Sequence, residues 1–118
     1  MGAPFAHIEI PVDNFEKAKE FYGKLFQWEF QCDTEPTEYV TFDPGEGPGG
    51  GFWIPENEEQ KHITNYIHVP DIEKILEEIK TAGGKVYVEK TAIGEHGFFA
   101  IFGDPFDNVM GLWEPVEE

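Results

Sequence analysis

The chain has 118 residues, 40% of them hydrophobic and 15% aromatic, which is enough to bury a core and excludes a disordered chain. A formal net charge of −16 argues against nucleic acid and anionic membranes as partners, although ordinary surface solvation produces the same balance. Arg and Ser are both absent, which excludes a bidentate guanidinium clamp for phosphate or carboxylate and a Ser-His-Asp triad.

The first half of the chain predicts one helix between short strands. Residues 5–12 alternate between apolar and polar types, as in a strand. Asp13 then predicts a helix N-cap, with Glu16 three residues later, and the helix continues through "NFEKAKEFYGKLF". Three strands are expected next, with "DPGEGPGGG" as the turn before the last of them, near residues 28–33, 38–43 and 50–54.

Cys32 is the one cysteine of the chain, so no internal disulfide can form. It lies in the predicted strand "WEFQCDT", where we expect a buried structural thiol rather than a nucleophile. The sequence shows no signal peptide and no long apolar run, so we expect a cytoplasmic protein without a membrane partner.

The second half repeats this plan. A strand at 62–69 precedes the predicted helix "PDIEKILEEIKTAGG", which begins at Pro70 and Asp71 and ends at Gly83 and Gly84. Three more strands are expected, with "GDPFDN" as the turn between the last two, near residues 85–90, 97–103 and 108–113.

The two halves align with each other. "VDNFEK" from Val12 matches "VPDIEK" from Val69, and "GFWIP" from Gly51 matches "GLWEP" from Gly111, in the same order. We therefore predict two tandem βαβββ modules, 1–58 and 59–118, that together form one structural domain of the α+β class. The alternative is a single irregular α+β domain whose halves are similar by chance.

Strand alternation separates a helix-facing side from a candidate pocket side. Ala6, Ile8 and Ile10 are expected to face the first helix, and Ile54 and Ile63 are assigned to the helix side as well. The opposite side collects polar, aromatic and glycine residues, namely His7, Glu9, Gly51, Trp53, Thr64, Tyr66, Gly111 and Trp113. Such a mixed lining is typical of a small-molecule pocket. The alternative is that these residues fill the space between the modules.

Two further candidate ligand-binding residues, His96 and Phe98, lie in "IGEHGFF". His96 is interpreted either as a lid residue over the pocket or as an exposed turn histidine.

The motifs "H-x-E-I-x-V-D-N-x-E-K-A-x-x-FY-x-x-LF-x-W" and "DPFDN…GLWEP" resemble the vicinal oxygen chelate superfamily, which includes glyoxalase I, the bleomycin-resistance proteins and extradiol dioxygenases. The resemblance covers essentially the whole chain. Within the superfamily, the chain is most similar to small glyoxalase-related proteins. It implies paired βαβββ modules that form a curved mixed sheet around a cavity, often within a homodimer.

The resemblance also implies four metal-ligand positions, which fall on His7, Gly51, Thr64 and Gly111 in this sequence. Only His7 has a side chain suited to a divalent transition metal. We therefore expect no cofactor, and a divalent metal only in a rebuilt site where Glu9 joins His7. Classical glyoxalase I activity is disfavoured, because glutathione adducts carry carboxylates and the chain has no Arg.

Two functions follow from these residues. In the first, Glu9 or His7 is the general base of a lyase- or isomerase-type enzyme without the usual metal, and Tyr66 or Thr64 stabilises the oxyanion. In the second, the protein sequesters a cationic or aromatic ligand without catalysis, through Trp53 and Trp113.

Overall fold

The structure is a computed structural model that describes residues 2–32 and 38–116. The chain divides into two compact units: a first unit, His7–Thr64, and a second unit, Asn65–Glu118 together with Met1–Ala6. These bounds fall within β1 and after the first residue of β5, and each strand is described below with the unit that holds most of its residues. The order of elements is βαβββ followed by βαβββ. The predicted α+β fold of two tandem βαβββ modules is therefore confirmed.

The first unit packs one helix on a mixed sheet. Its elements are β1 (Phe5–Pro11), α1 (Phe15–Phe26), β2 (Glu29–Gln31), β3 (Tyr39–Asp43) and β4 (Gly49–Trp53). The strand order is β2-β3-β4-β1, with β1 parallel to β4 and the other pairs antiparallel. Ala18 of α1 packs with Phe42 and Phe52 from the sheet, and Trp28 stacks on Phe42. Residue 33, the predicted end of β2, lies outside the described residues.

The second unit repeats this arrangement. Its elements are β5 (Thr64–His68), α2 (Ile72–Thr81), β6 (Lys85–Ile93), β7 (Gly97–Gly103) and β8 (Val109–Pro115). The strand order is β5-β8-β7-β6, with β5 parallel to β8. Ile72 and Leu76 of α2 are buried against Ala100 and Leu112 of the sheet.

Both helices begin at a residue whose side chain caps the first turn. Asp71, predicted to lie at the start of α2, is its N-cap, and its Oδ1 accepts a hydrogen bond from Lys74 N. The N-cap of α1 is Asn14, whose Oδ1 accepts from Lys17 N, so the prediction of Asp13 is wrong by one residue. In the part of the chain that the structure describes, neither helix is long and apolar enough to span a membrane.

Three residues are more exposed than the sequence predicted. Cys32 is exposed rather than buried, because β2 ends at Gln31. Ile54 and Ile63 are 48% and 57% exposed rather than packed under a helix. Each lies one residue beyond a strand, so strand alternation no longer directs its side chain.

A carboxylate ties β8 to the start of α2. Glu114 Oε1 accepts a hydrogen bond of 2.8 Å from Ile72 N, and its Oε2 lies 3.2 Å from Lys90 Nζ. The Lys90 ammonium also lies 4.4 Å from the centroid of the Phe98 ring. Glu114 therefore satisfies a backbone donor that α2 leaves free at its first turn.

The "GDPFDN" motif forms the predicted turn between β7 and β8. Asp104 Oδ1 accepts from Phe106 N and Asn108 N at 2.8 and 2.9 Å, and Oδ2 accepts from Asn108 Nδ2 at 2.8 Å. The hydrogen bonds from the Asn108 side chain and backbone lower the pKa of the Asp104 carboxyl. These contacts account for the motif as a turn, with no role in binding required.

Candidate functional site

His7 and Glu9 lie side by side on the face of β1 that points away from α1. The residues between and after them, Ile8 and Ile10, pack against the core beside Ala18. Because side chains alternate along a strand, His7 and Glu9 emerge on the other face, where both are half-buried. The alternation predicted for β1 is therefore confirmed.

Tyr39, the first residue of β3, joins these two residues. Its hydroxyl lies 2.6 Å from His7 Nε2 and donates a hydrogen bond of 3.1 Å to Glu9 Oε2. A phenol has one proton to donate. When that proton points to Glu9, the phenol oxygen accepts from a protonated Nε2 of His7. The three side chains thus form a chain of hydrogen bonds from imidazole through phenol to carboxylate.

Burial and the charge of Glu9 act in opposite directions on the pKa of His7. Removal from water lowers the pKa of the His7 imidazole, and the nearby Glu9 carboxylate offsets part of that effect. The net result is a pKa below the ordinary histidine value. His7 is therefore neutral near pH 7, and in the arrangement above its neutral form carries the proton on Nε2.

Gly51 makes room for the Tyr39 ring. In the sheet, Gly51 pairs with Glu9 on one side and with Thr41 on the other. A Cβ atom on Gly51 would collide with the ring and hydroxyl of Tyr39. The phenol therefore crosses above β4, from β3 to β1, through the space that any other residue at position 51 would fill.

Trp53 lies next to this group. It is the cross-strand partner of Tyr39 and is half-buried. Its indole Nε1 is buried and has no hydrogen-bond acceptor among the described residues. A buried donor without an acceptor is uncommon and costs free energy. The face formed by His7, Glu9, Tyr39 and Trp53, here called the β1–β4 face, therefore holds an unused donor as well as the hydrogen-bonded chain.

In the second unit, the predicted residues also share a face, which is more aromatic. Tyr66 is 7% exposed, and its ring fills the space where Gly111 would carry a Cβ atom. Trp113 lies against Gly97, and Phe99 is its cross-strand partner. Thr64 is buried, and its hydroxyl lies 3.3 Å from His62 Nδ1. The grouping of this face with the β1–β4 face, expected from the repeat, stays a prediction.

His96 and Phe98 do not belong to the face that Tyr66, Gly111 and Trp113 form. His96 is exposed in the turn between β6 and β7, where its N–H bonds to Ile93 O. Phe98 packs against the core beneath α2, on the opposite face of β7 from Phe99. The structure therefore does not bring Phe98 together with Tyr66, Gly111 and Trp113.

The residues present do not fit the metal that the resemblance implies. In the described ranges, no group of three His, Cys, Asp or Glu side chains is placed to hold a metal ion. Tyrosine rings fill the side-chain space at Gly51 and Gly111, and Thr64 is a poor ligand for transition metals.

Sequence reasoning missed Tyr39, the residue that connects the site. The predicted pocket side contains residues of β1, β4, β5 and β8 but none of β3. Val40 and Phe42 are buried in the core, so Tyr39 and Thr41 must emerge on the face of His7 and Glu9. The segment "EYVTFD" shows this alternation of polar or aromatic with apolar residues. The hydrogen bonds themselves depend on the sheet register, which the sequence does not display.

Comparisons with known proteins agree with this fold. The chain matches the Glyoxalase/Bleomycin resistance protein/Dioxygenase superfamily over residues 5–112. It is 32% identical over 96 residues to a glyoxylase-like domain-containing protein of Didymella fabae, covering 75% of each chain.

Two solved structures illustrate the structural similarity. A hypothetical protein of Bacillus halodurans C-125 has a TM-score of 0.78 at 17% identity, covering 100% of this chain and 98% of that one. The methylmalonyl-CoA epimerase of Mycobacterium tuberculosis has a TM-score of 0.75 at 14% identity, covering 97% of this chain and 89% of that one. The likeness to both structures concerns the fold. The chain belongs to the glyoxalase, bleomycin-resistance protein and dioxygenase superfamily.

Proposed function

We propose that this protein catalyses a metal-independent proton transfer of the isomerase or lyase type on a small molecule bound at the β1–β4 face. The observation that carries this proposal is the Tyr39 hydroxyl, which lies within hydrogen-bond distance of both His7 Nε2 and Glu9 Oε2. An acid, a base and a group that links them are the components that a proton transfer requires.

Each group has a role that its chemistry supports. The Glu9 carboxylate removes a proton from a carbon next to a carbonyl group. The C–H electron pair moves toward the carbonyl oxygen as an enolate forms, and the proton becomes bound to a Glu9 oxygen. The Tyr39 hydroxyl turns from Glu9 to donate its hydrogen bond to the developing oxyanion, and the neutral His7 imidazole supports it by donating its Nε2–H to the phenol oxygen. In an α-hydroxycarbonyl compound, the proton returns to the former carbonyl carbon while the α-hydroxyl proton moves to the oxyanion, and an isomerised carbonyl compound results. In a compound with a leaving group on the β-carbon, that group departs with its bonding electron pair as the enolate collapses, which completes an elimination.

The charge of the chain narrows the substrate class. With no Arg and a net charge of −16, the protein lacks the groups that neutralise phosphate or several carboxylates. Methylmalonyl-CoA epimerase is among the similar structures, but coenzyme A esters are highly anionic. We therefore propose an uncharged or cationic carbonyl compound as the substrate.

The test is proton exchange at carbon. Protein dialysed against EDTA is incubated in D₂O with hydroxyacetone, glyceraldehyde or an aminoketone, and loss of the C–H signal is followed by proton NMR. We expect exchange by the wild-type protein and a loss of about 100-fold or more in Glu9→Gln. Glu29→Gln, an exposed carboxylate of β2, is the matched control. Equal exchange by wild type and Glu9→Gln, or exchange that appears only when zinc or nickel is added, would contradict the proposal.

A second candidate function, sequestration without chemistry, is favoured by Trp53. Trp53, the cross-strand partner of Tyr39, provides an aromatic surface on the face that also carries the Glu9 carboxylate, and its buried Nε1–H has no acceptor in the described part of the chain. A cationic aromatic ligand with a hydrogen-bond acceptor would use all three features. Quenching of tryptophan fluorescence by such ligands, with affinity lost in Trp53→Phe and no proton exchange on any compound, would support this alternative.

A further inference from the structure

Tyr39 and Gly51 together determine what the β1–β4 face can hold. The ring lies where a side chain at position 51 would be, and its hydroxyl lies between His7 and Glu9. These two side chains are the nearest approach to a metal site on this face, and both already bond the same phenol.

We propose that the Tyr39 phenol occupies the space of a cation, so that this face excludes divalent metal ions while the ring is present. A metal held by His7 and Glu9 would have to displace the hydroxyl from Nε2 and Oε2. A third ligand at position 51 would have to displace the ring, because its Cβ atom collides with it. Removal of the ring together with insertion of a carboxylate at position 51 should therefore create a cation site.

The second unit independently shows the same arrangement. Gly111 is the β8 partner of Tyr66, as Gly51 is the β4 partner of Glu9. The Tyr66 ring fills the side-chain space of Gly111. In each unit, a buried glycine on the last strand is therefore covered by a tyrosine ring, although the tyrosine comes from β3 in one unit and from β5 in the other. Aromatic filling replaces a side chain at both positions.

The experiment compares four proteins: wild type, Gly51→Glu, Tyr39→Ala and the double variant. Each is dialysed against EDTA and titrated with Co²⁺, with binding measured by calorimetry and by the visible absorption of the bound ion. We expect the double variant to bind one equivalent at least 10–100-fold more tightly than either single variant, since loss of even a hydrogen-bonding partner of a metal ligand alters metal affinity by roughly this range. His7→Ala in the double background should abolish this binding.

Gly51→Ala provides a second measurement that does not depend on metal binding. We expect it to lower the melting temperature in the wild-type background, because the added methyl group collides with the Tyr39 ring, and to lower it much less in the Tyr39→Ala background. If Gly51→Ala has the same effect in both backgrounds, the ring does not fill this space and the proposal fails, even if the double variant does not fold.

Three results with Co²⁺ would also overturn the proposal: tight binding by the wild type, equally tight binding by Gly51→Glu alone, and no binding by a folded double variant. The inference is separable from the proposed function, because its readouts are metal affinity and melting temperature. A protein without proton-exchange activity could still exclude the cation, and an active protein could fail to exclude it.

Discussion

Tyr39→Phe tests the hydrogen-bonded chain directly, because it removes one oxygen atom and keeps the ring over Gly51. The change removes a bond of 3.1 Å to the Glu9 carboxylate and a contact of 2.6 Å with His7 Nε2. A hydrogen bond to a charged group contributes about 1.5–3 kcal/mol and a neutral one about 1 kcal/mol. Both partners are half-buried, so water replaces part of the lost bonding. We expect the free energy of unfolding to fall by about 1–2 kcal/mol.

Urea denaturation followed by tryptophan fluorescence measures this loss. With a slope of about 1–3 kcal/mol per molar urea, the midpoint should fall by roughly 0.3–2 M. Tyr87→Phe is the matched control, because Tyr87 is 52% exposed on β6 of the second unit. We expect it to change stability by less than about 0.5 kcal/mol.

A double-mutant cycle with Glu9→Gln separates the hydrogen bond from the packing of the ring. If phenol and carboxylate interact, the combined loss should differ from the sum of the single losses by more than about 0.5 kcal/mol. A Tyr39→Phe variant as stable as the wild type, or losses that simply add, would refute the connection between Tyr39 and Glu9 and weaken the proposed acid–base role.

Three other variants test the surrounding structure and the charge state of His7. Asn14→Ala should destabilise the protein by about 1 kcal/mol in urea, and Asp13→Ala should have little effect; the reverse would restore Asp13 as the cap. Glu114→Ala should cost about 1–3 kcal/mol in urea, because it leaves the first backbone donor of α2 without an acceptor, whereas Glu114→Gln should cost less; equal losses would contradict that role. Because the pKa of His7 is lowered in the folded state, the unfolded state binds more protons as pH falls below about 6.5, and this contribution to stability is lost there. From pH 7.5 to pH 5.5, the urea midpoint should therefore fall more in wild type than in His7→Gln, and His96→Gln is the control for an exposed histidine. Equal pH dependence in all three proteins would exclude a lowered pKa of His7 in the folded state.

The fold could be predicted because its signals are local and occur twice. The structure contains the predicted alternation in β1, the predicted start of α2 near Asp71, and strands β4 and β8 at the paired "GFWIP" and "GLWEP" segments. The one error in capping conflicts with the repeat itself, since the alignment of "VDNFEK" with "VPDIEK" places Asn14, not Asp13, over Asp71. Consistency between the halves is therefore a better guide to a helix start than a single capping pattern.

The site could be predicted only in part, because it depends on sheet register. His7 and Glu9 follow from alternation within one strand. Tyr39 belongs to a strand that is not adjacent to β1, and it reaches His7 only because the intervening β4 presents Gly51 at that point. A sequence lists a tyrosine and a glycine far apart, and only the pairing of β3 with β4 shows that one fills the space left by the other.

The two units have diverged on one face and stayed alike on the other. Tyr39 pairs across the strand with Trp53 as Phe99 pairs with Trp113, so the hydroxyl of the first unit has no counterpart in the second. At the positions that the repeat aligns with His7 and Glu9, the second unit has Thr64 and Tyr66. Their neutral hydroxyl groups are less basic than an imidazole or a carboxylate. The helix-facing cores remain apolar in both units. Burial of each sheet under its helix restricts change on that face, whereas the opposite face can acquire or lose polar groups without loss of the fold. The hydrogen-bonded imidazole, phenol and carboxylate therefore belong to the first unit, and the aromatic face of the second is suited to contacts with apolar atoms.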